Sequence, residues 1–337
     1  ARNAISARTG LVGDSLNEVS QLAQQLGADT VFSSQQAADA FLQMLTAGLD
    51  VEAAIATLPN VLNAAAASGE DLGRSADLVT NVMASFRLEA GETTRIVEAM
   101  SRASASSPAS MGEMGEALQN IGGLATGMGM SLEETSATLA LFAQSGIRGS
   151  EAGTALRSML LNMTRDTEDV TATWAELGVS MYDAEGNTRN LSQVFTELDA
   201  ALQTRSPEEQ NRMITTLAGS YGLAGFNALR AGTSIEEMQT IMEGQASAAD
   251  VAARRMDTFA GVMTSLGGSI ETLQIAAFTP FMNNVLKPLG QQMIEMTNRV
   301  TAWVQENPAL TQSIVTVGAA ISAMAAALIP AESGSAP

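Results

Sequence analysis

The chain contains no cysteine and no histidine. Without cysteine there is no disulfide and no thiolate nucleophile or ligand. Without histidine, zinc hydrolases, Ser-His triads and Cys-His proteases are excluded, so carboxylates alone remain for acid–base work. The single lysine, Lys287, precedes Pro288 and has no glycine-rich approach, which excludes a P-loop nucleotide site. Gly127-Met-Gly129 lacks a third glycine and a preceding strand, so it is a very weak signal for a dinucleotide site. Basic residues are scattered along the chain, with Arg254-Arg255 the one adjacent pair, and against 36 acidic residues they leave a net charge of −19. No stripe capable of gripping phosphates is visible. An acidic surface suits ordinary solubility or the repulsion of nucleic acid, and the sequence leaves both open. Aromatic residues make up only 4% of the chain, and valine and isoleucine rarely cluster, which disfavours strands.

What is abundant is alanine and methionine, the latter with 19 copies. Together they favour helices packed through small and adaptable side chains. At 337 residues the chain exceeds the ~250–300 at which a single core stops growing, so two or more folding units are expected. It opens Ala1-Arg2-Asn3-Ala4 with no methionine and no apolar signal core, as expected of a processed or partial chain without a secretory signal at this end.

Apolar residues at helical spacing and repeated cap residues predict successive short helices. Leu16, Val19, Leu22, Ala23 and Leu26 form one stripe, stopped by Gly27. Ser33 or Ser34, Asp50 and Asp71 each cap a helix, and Pro59 is placed to start another. Ser110 with Glu113, Ser131 with Glu134, and Ser206 with Glu209 after Pro207 read as capping boxes. Val179 to Tyr182 alternates like a strand, Asp183 to Asn187 is turn chemistry, and a return through Arg189 would complete a small hairpin. The acidic run Asp166 to Asp169 reads as a solvated turn, since it lacks EF-hand spacing.

The most specific stretch is Gly146-Ile-Arg-Gly-Ser-Glu-Ala-Gly-Thr-Ala-Leu-Arg157, lying between two helical patterns. Gly146 and Gly149 supply a turn, Ser150 caps the next helix, and Gly153 beside Ala152 and Thr154 lets another backbone approach. Glu151 falls in the first helical turn, where its charge complements the dipole, and Arg157 is placed to meet a carboxylate.

From about residue 246 the pattern changes to longer stripes. One runs through Val251, Arg255, Phe259, Val262, Leu266, Ile270, Leu273 and Ala277, and another through Val285, Leu289, Met293, Met296, Val300 and Trp303. They want partner helices, either within the chain or in a self-associating bundle or coiled coil. Residues 309–329 carry no charge and are long enough to span a bilayer, with Ile314, Val315, Val317, Gly318, Ile321, Met324, Leu328 and Ile329 as its apolar and close-packing members. Thr311, Gln312, Ser313, Thr316 and Ser322 dilute it. A buried partner helix, a conditional membrane insertion and a permanent span all remain open.

Taken in order, the helix ending before Gly127-Met-Gly-Met-Ser131, the Gly146–Arg157 joint, Leu177-Gly-Val-Ser-Met-Tyr-Asp183 and Leu217-Ala-Gly-Ser-Tyr-Gly-Leu223 resemble the core region of phage tail tape measure proteins, over roughly residues 20–230. The resemblance implies an all-α fold: a multi-helix compact core with one short β-hairpin, followed by long amphipathic and apolar helices. The organisation expected is a lead-in at 1–19, the core at 20–245, amphipathic helices at 246–308, a membrane-competent helix at 309–330 and a flexible tail at 331–337. It further implies a non-enzymatic virion component without cofactors. Its partners would be tail tube and tail tip proteins, assembly chaperones, further copies of itself and, at ejection, the host membrane, while DNA passes without specific binding.

Overall fold

Side-chain caps start most of the helices in the computed structural model, which describes residues 13–257 together with positions 6, 291, 292, 295, 296, 299, 305 and 306. Among the described residues there are thirteen α-helices and no strand, so the fold is all-α. In chain order the first seven are α1 (Gly13–Asp29), α2 (Ser34–Thr46), α3 (Val51–Ser68), α4 (Leu72–Phe86), α5 (Thr93–Ala105), α6 (Met111–Gly127) and α7 (Leu132–Gln144). Beyond the Gly146 joint come α8 (Gly149–Met163), α9 (Glu168–Leu177), α10 (Leu191–Gln203), α11 (Pro207–Leu229), α12 (Ile235–Glu243) and α13 (Ala248–Met256). Ser33, Ser110 and Ser206 close full capping boxes with Gln36, Glu113 and Glu209. Asp50, Asp71, Ser131, Asn190, Ser234 and Ser247 accept one backbone N–H each, a contact typically worth about 1 kcal/mol.

Two start-and-stop expectations fail for reasons of packing. Gly27 does not end α1, which runs on to Asp29. A Cβ at Gly27 would lie 2.5 Å from the Ser34 backbone nitrogen, so this glycine makes room for the start of α2. Pro59 lies inside α3. Buried Ala54, Leu58, Val61, Leu62 and Ala65 continue one apolar stripe past it, and that burial outweighs the roughly 3 kcal/mol that an interior proline costs.

The expected hairpin is also absent. It reduces to an isolated Tyr182–Thr188 bridge, flanked by Arg189 N–H donating to the Met181 carbonyl at 2.9 Å. Asp183 accepts from the N–H groups of Glu185 and Asn187 at 3.0 and 2.7 Å. The loop is thus closed by its own side chain, and a ladder this short adds little.

Successive helices alternate between two layers. In one, α2 packs on α4, α4 on α6, α6 on α8 and α8 on α11; in the other, α3 packs on α5, α5 on α7 and α7 on α12. This is the stacking of helical-pair arrays, in which each element meets near neighbours. Phe41, Phe142 and Phe226 are fully buried, and Phe226 packs on Phe195 with ring centroids 5.0 Å apart. Packing continues past residue 245, because α13 lies on α3 with Ala252 fully buried. Residues 273–337 form a second unit, of which the described positions are helical and exposed; Arg299 lies 3.9 Å from Glu295 and Met296 is open to solvent. The 259–277 stripe and the 309–329 segment lie outside the described residues. No described helix is long and apolar enough to cross a membrane.

Candidate functional site: the joint between α6, α7 and α8

The joint begins where α7 ends. Gly146 takes φ +87°, its N–H bonds the Ala143 carbonyl at 2.9 Å, and Ile147 N–H bonds the Phe142 carbonyl at 3.0 Å. These two bonds form a Schellman motif, and a residue with a Cβ is strained at its left-handed position. Buried Ile147 supplies the accompanying apolar contact. The chain then turns, and Arg148 Nη1 donates to the Pro108 carbonyl, in the loop before α6, at 3.2 Å.

Gly149, at φ +58°, is the first residue of α8, with Arg148 before it in extended conformation and making no side-chain cap. Ser150 is therefore not the cap. It sits one residue inside the helix, and its Oγ accepts from Asn120 Nδ2 at 2.7 Å. Arg157 does not pair with a carboxylate; its Nη1 donates to the Asn120 carbonyl at 3.4 Å. Asn120 thus ties α6 to α8 at two points, and only its polar character within a helical stretch hinted at this. Between them lies Gly153, where a Cβ would stand 2.5 Å from the Ala117 carbonyl oxygen and 2.8 Å from Asn120 Cβ. Ala152 is buried, whereas Glu151 and Thr154 face solvent, and Thr154 Oγ1 returns a hydrogen bond to the Ser150 carbonyl at 2.8 Å.

Glu134 departs from the capping box expected of it. Ser131 Oγ does accept from Glu134 N–H at 3.0 Å, but the carboxylate is buried and accepts from Ser192 N–H, in the first turn of α10, at 3.1 Å. It joins the N-termini of α7 and α10. Burial pushes its pKa up from the usual carboxylate value, and surrounding backbone N–H groups of Ser192, Leu191 and Ser131 oppose that shift. A capping box and this bridge look the same in sequence, because both need only Ser-x-x-Glu.

On the surface, arginines are committed to acids: Arg95 to Glu133 and Glu92, Arg74 to Glu116, Arg102 to Glu98, Arg189 to Glu197, Arg212 to Glu176 and Arg230 to Asp199. Hydrogen bonds from Arg95 hold Glu133 below the usual carboxylate value. Among the described residues no group of acidic side chains is arranged to hold a metal ion. The contacts at the joint hold α6 and α8 at close separation.

Comparison with known proteins gives that geometry a setting. Residues 20–219 match the family described as phage-related minor tail protein. The chain is 30% identical to the tape measure protein of Pneumococcus phage Dp-1 over 329 residues, which cover 96% of this chain and 28% of that protein. It is 26% identical to the probable tape measure protein of Escherichia phage P2 over 303 residues, which cover 87% of this chain and 36% of that protein. The chain therefore spans about a third or less of the curated relatives it matches. No solved structure matches it. With the match over residues 20–219 and helical packing throughout that span, the chain belongs to the phage tail tape measure family, structural components of the virion tail.

Proposed function

We propose that this sequence is the folded helical segment of a tape measure protein, a non-enzymatic part that occupies the lumen of the tail tube. In this reading the whole protein sets tube length during assembly and assists DNA passage at ejection. One observation carries it: nearly the full chain aligns with only 28% of a much longer tape measure protein. A ruler scales with extended length, and this segment is folded back on itself. Its longest described helix, α11, has 23 residues and is broken at Gly219, so it reaches only about 35 Å. The measuring length belongs to the rest of the protein, while the 13–257 core is a folded block that docks.

The proposed contacts are with tail tube and tip proteins, assembly chaperones and further copies of the chain through the 251–304 stripes. The net charge of −19 and the pairing of surface arginines with carboxylates support passage of DNA without adhesion. The uncharged 309–329 segment is the part proposed to meet the host membrane. Deleting about 40 helical residues in frame, outside the 13–257 core, from the encoding phage gene should shorten tubes by ~60 Å in electron micrographs. Tubes of unchanged length in particles that assemble normally would overturn the reading.

A further inference from the structure

The chain holds two tryptophans and two tyrosines, and one of each lines the same cavity. This cavity, of about 330 Å³, lies between the end of α8, the side of α9 and the loop after α9; Trp174 and Tyr182 are its aromatic walls. Phe41, Phe142 and Phe226 are fully buried, whereas Tyr182 keeps 44% of its surface exposed. The supports of both aromatics are already in place. Trp174 Nε1 donates to the Met163 carbonyl at 2.9 Å. Ser180 Oγ accepts from Tyr182 N–H at 3.0 Å and donates to the Tyr182 carbonyl at 2.8 Å. Arg189 Nη1 donates to the Ser180 carbonyl at 3.1 Å. None of these bonds uses the Tyr182 ring, so the loop is fixed by its backbone and the ring is left to meet a ligand.

Buried Met163 and Met181 add adaptable apolar surface to the wall. Exposed Arg165, Asp166 and Thr171 complete the lining. Among the described residues, the Arg165 guanidinium, the Asp166 carboxylate and the hydroxyls of Thr171 and Tyr182 take no hydrogen bond or ion pair, unlike the arginines that meet carboxylates elsewhere on the surface.

We infer that this cavity binds one pyranose ring of a carbohydrate. The volume is at the small end of ligand pockets and suits a single ring. The C–H groups on one side of a pyranose carry partial positive charge and rest on the negative face of an aromatic ring. Its hydroxyls both donate and accept, and the lining answers both: Asp166 only accepts, Arg165 only donates, and Thr171 and Tyr182 do either. An ionic ligand of one sign would meet a like charge here. A protein partner closing over the cavity would strip water from Arg165 and Asp166 together and would have to bring a counter-charge to each. A small neutral polyol bonds both groups while their outer sides stay in water.

The test is made on the 337-residue chain and does not depend on tube length. Maltotetraose, cellotetraose and chitotetraose are each titrated while tryptophan emission is followed in Trp303→Phe, where Trp174 is the only indole left. Saturation-transfer NMR on the wild type shows which sugar protons touch the protein. At least one sugar should change the emission with a Kd of about 0.1–5 mM. Tyr182→Ala, added to that background, should weaken binding about 10-fold and leave the thermal transition within a few degrees of the parent. Asp166→Asn and Arg165→Gln should each weaken it about 3- to 10-fold. Absence of both an emission change and saturation transfer with all three sugars would overturn the inference. So would unchanged affinity in Tyr182→Ala, or a response to the tripeptide Leu-Pro-Leu and to none of the sugars, which would make the cavity an anchor for a protein partner.

Discussion

Replacing Gly153 by alanine should destabilise the core even though alanine is the better helix former. The substitution raises helix propensity by about 1 kcal/mol. Against that gain, the new Cβ would lie 2.5 Å from the Ala117 carbonyl oxygen, 2.8 Å from Asn120 Cβ and 3.1 Å from Ala117 Cα. Two of these atoms are backbone of α6, so no rotamer change relieves the clash, and one helix must shift. Overpacking of this kind costs about 1–3 kcal/mol, and occasionally more. A shift of α8 away from α6 also strains the 2.7 Å bond from Asn120 Nδ2 to Ser150 Oγ, worth about 1 kcal/mol. The balance is a loss of about 1–3 kcal/mol, towards the upper end because the obstacle is main chain. Gly123, on the exposed side of α6, provides the internal control. A Cβ there meets nothing closer than the Ser85 carbonyl at 4.0 Å, so Gly123→Ala should stabilise by up to about 1 kcal/mol. Urea unfolding followed by circular dichroism, compared at constant m-value, reads both. Equal stability of the two variants would refute the close-approach argument.

Three further outcomes follow from the same structure. Gly225→Ala places a methyl against the ring of Phe142, which is fully buried, and should lower stability by about 1–3 kcal/mol in the same urea titration. Gly219 breaks α11 at φ +66° and ψ 174°, a region that only glycine occupies readily, so Gly219→Ala should cost about 1–3 kcal/mol. A melting temperature at or above wild type would count against that. Glu134→Gln tests the buried carboxylate by pH. Its folded pKa is raised, so the wild type's contribution at this site is fully present below the usual unfolded value near 4.5 and is lost as pH rises through the raised folded value. The stability difference between wild type and Glu134→Gln should therefore move in favour of wild type as pH falls from 7 towards 4.5, and a flat difference would contradict it.

Cap chemistry was the part of the fold most directly written in the sequence, because a cap depends on residues three apart. Ser33, Asp50, Asp71, Ser110 and Ser206 sit where the pattern puts them. The errors share one physical cause, namely distant partners. Gly27 and Pro59 look like punctuation locally, yet α2 and the buried face of α3 carry the helices past them. Glu134 satisfies the box pattern but spends its carboxylate on Ser192, 58 residues away. Ser150 looks like a cap, whereas Gly149 begins the helix with Arg148 extended before it. In the joint, the glycine spacing was legible and Asn120, the residue that fastens it, was not, since nothing within its own helix separates it from any other solvent-facing amide.

The shortage of aromatics explains why glycine carries so much of this packing. Large rings hold helices together at a distance; a chain poor in them must gain contact by bringing backbones closer. Along the layer α4–α6–α8–α11 each contact has such a glycine: Gly122 of α6 faces Ser85 and Phe86, Gly153 of α8 faces Ala117, and Gly222 of α11 would place a Cβ 2.7 Å from Met159 Cα. Contacts made by main chain have little freedom to adapt, because a carbonyl fixed in a helix cannot move to another rotamer. The layer therefore specifies its helix separations sharply while remaining built from small side chains.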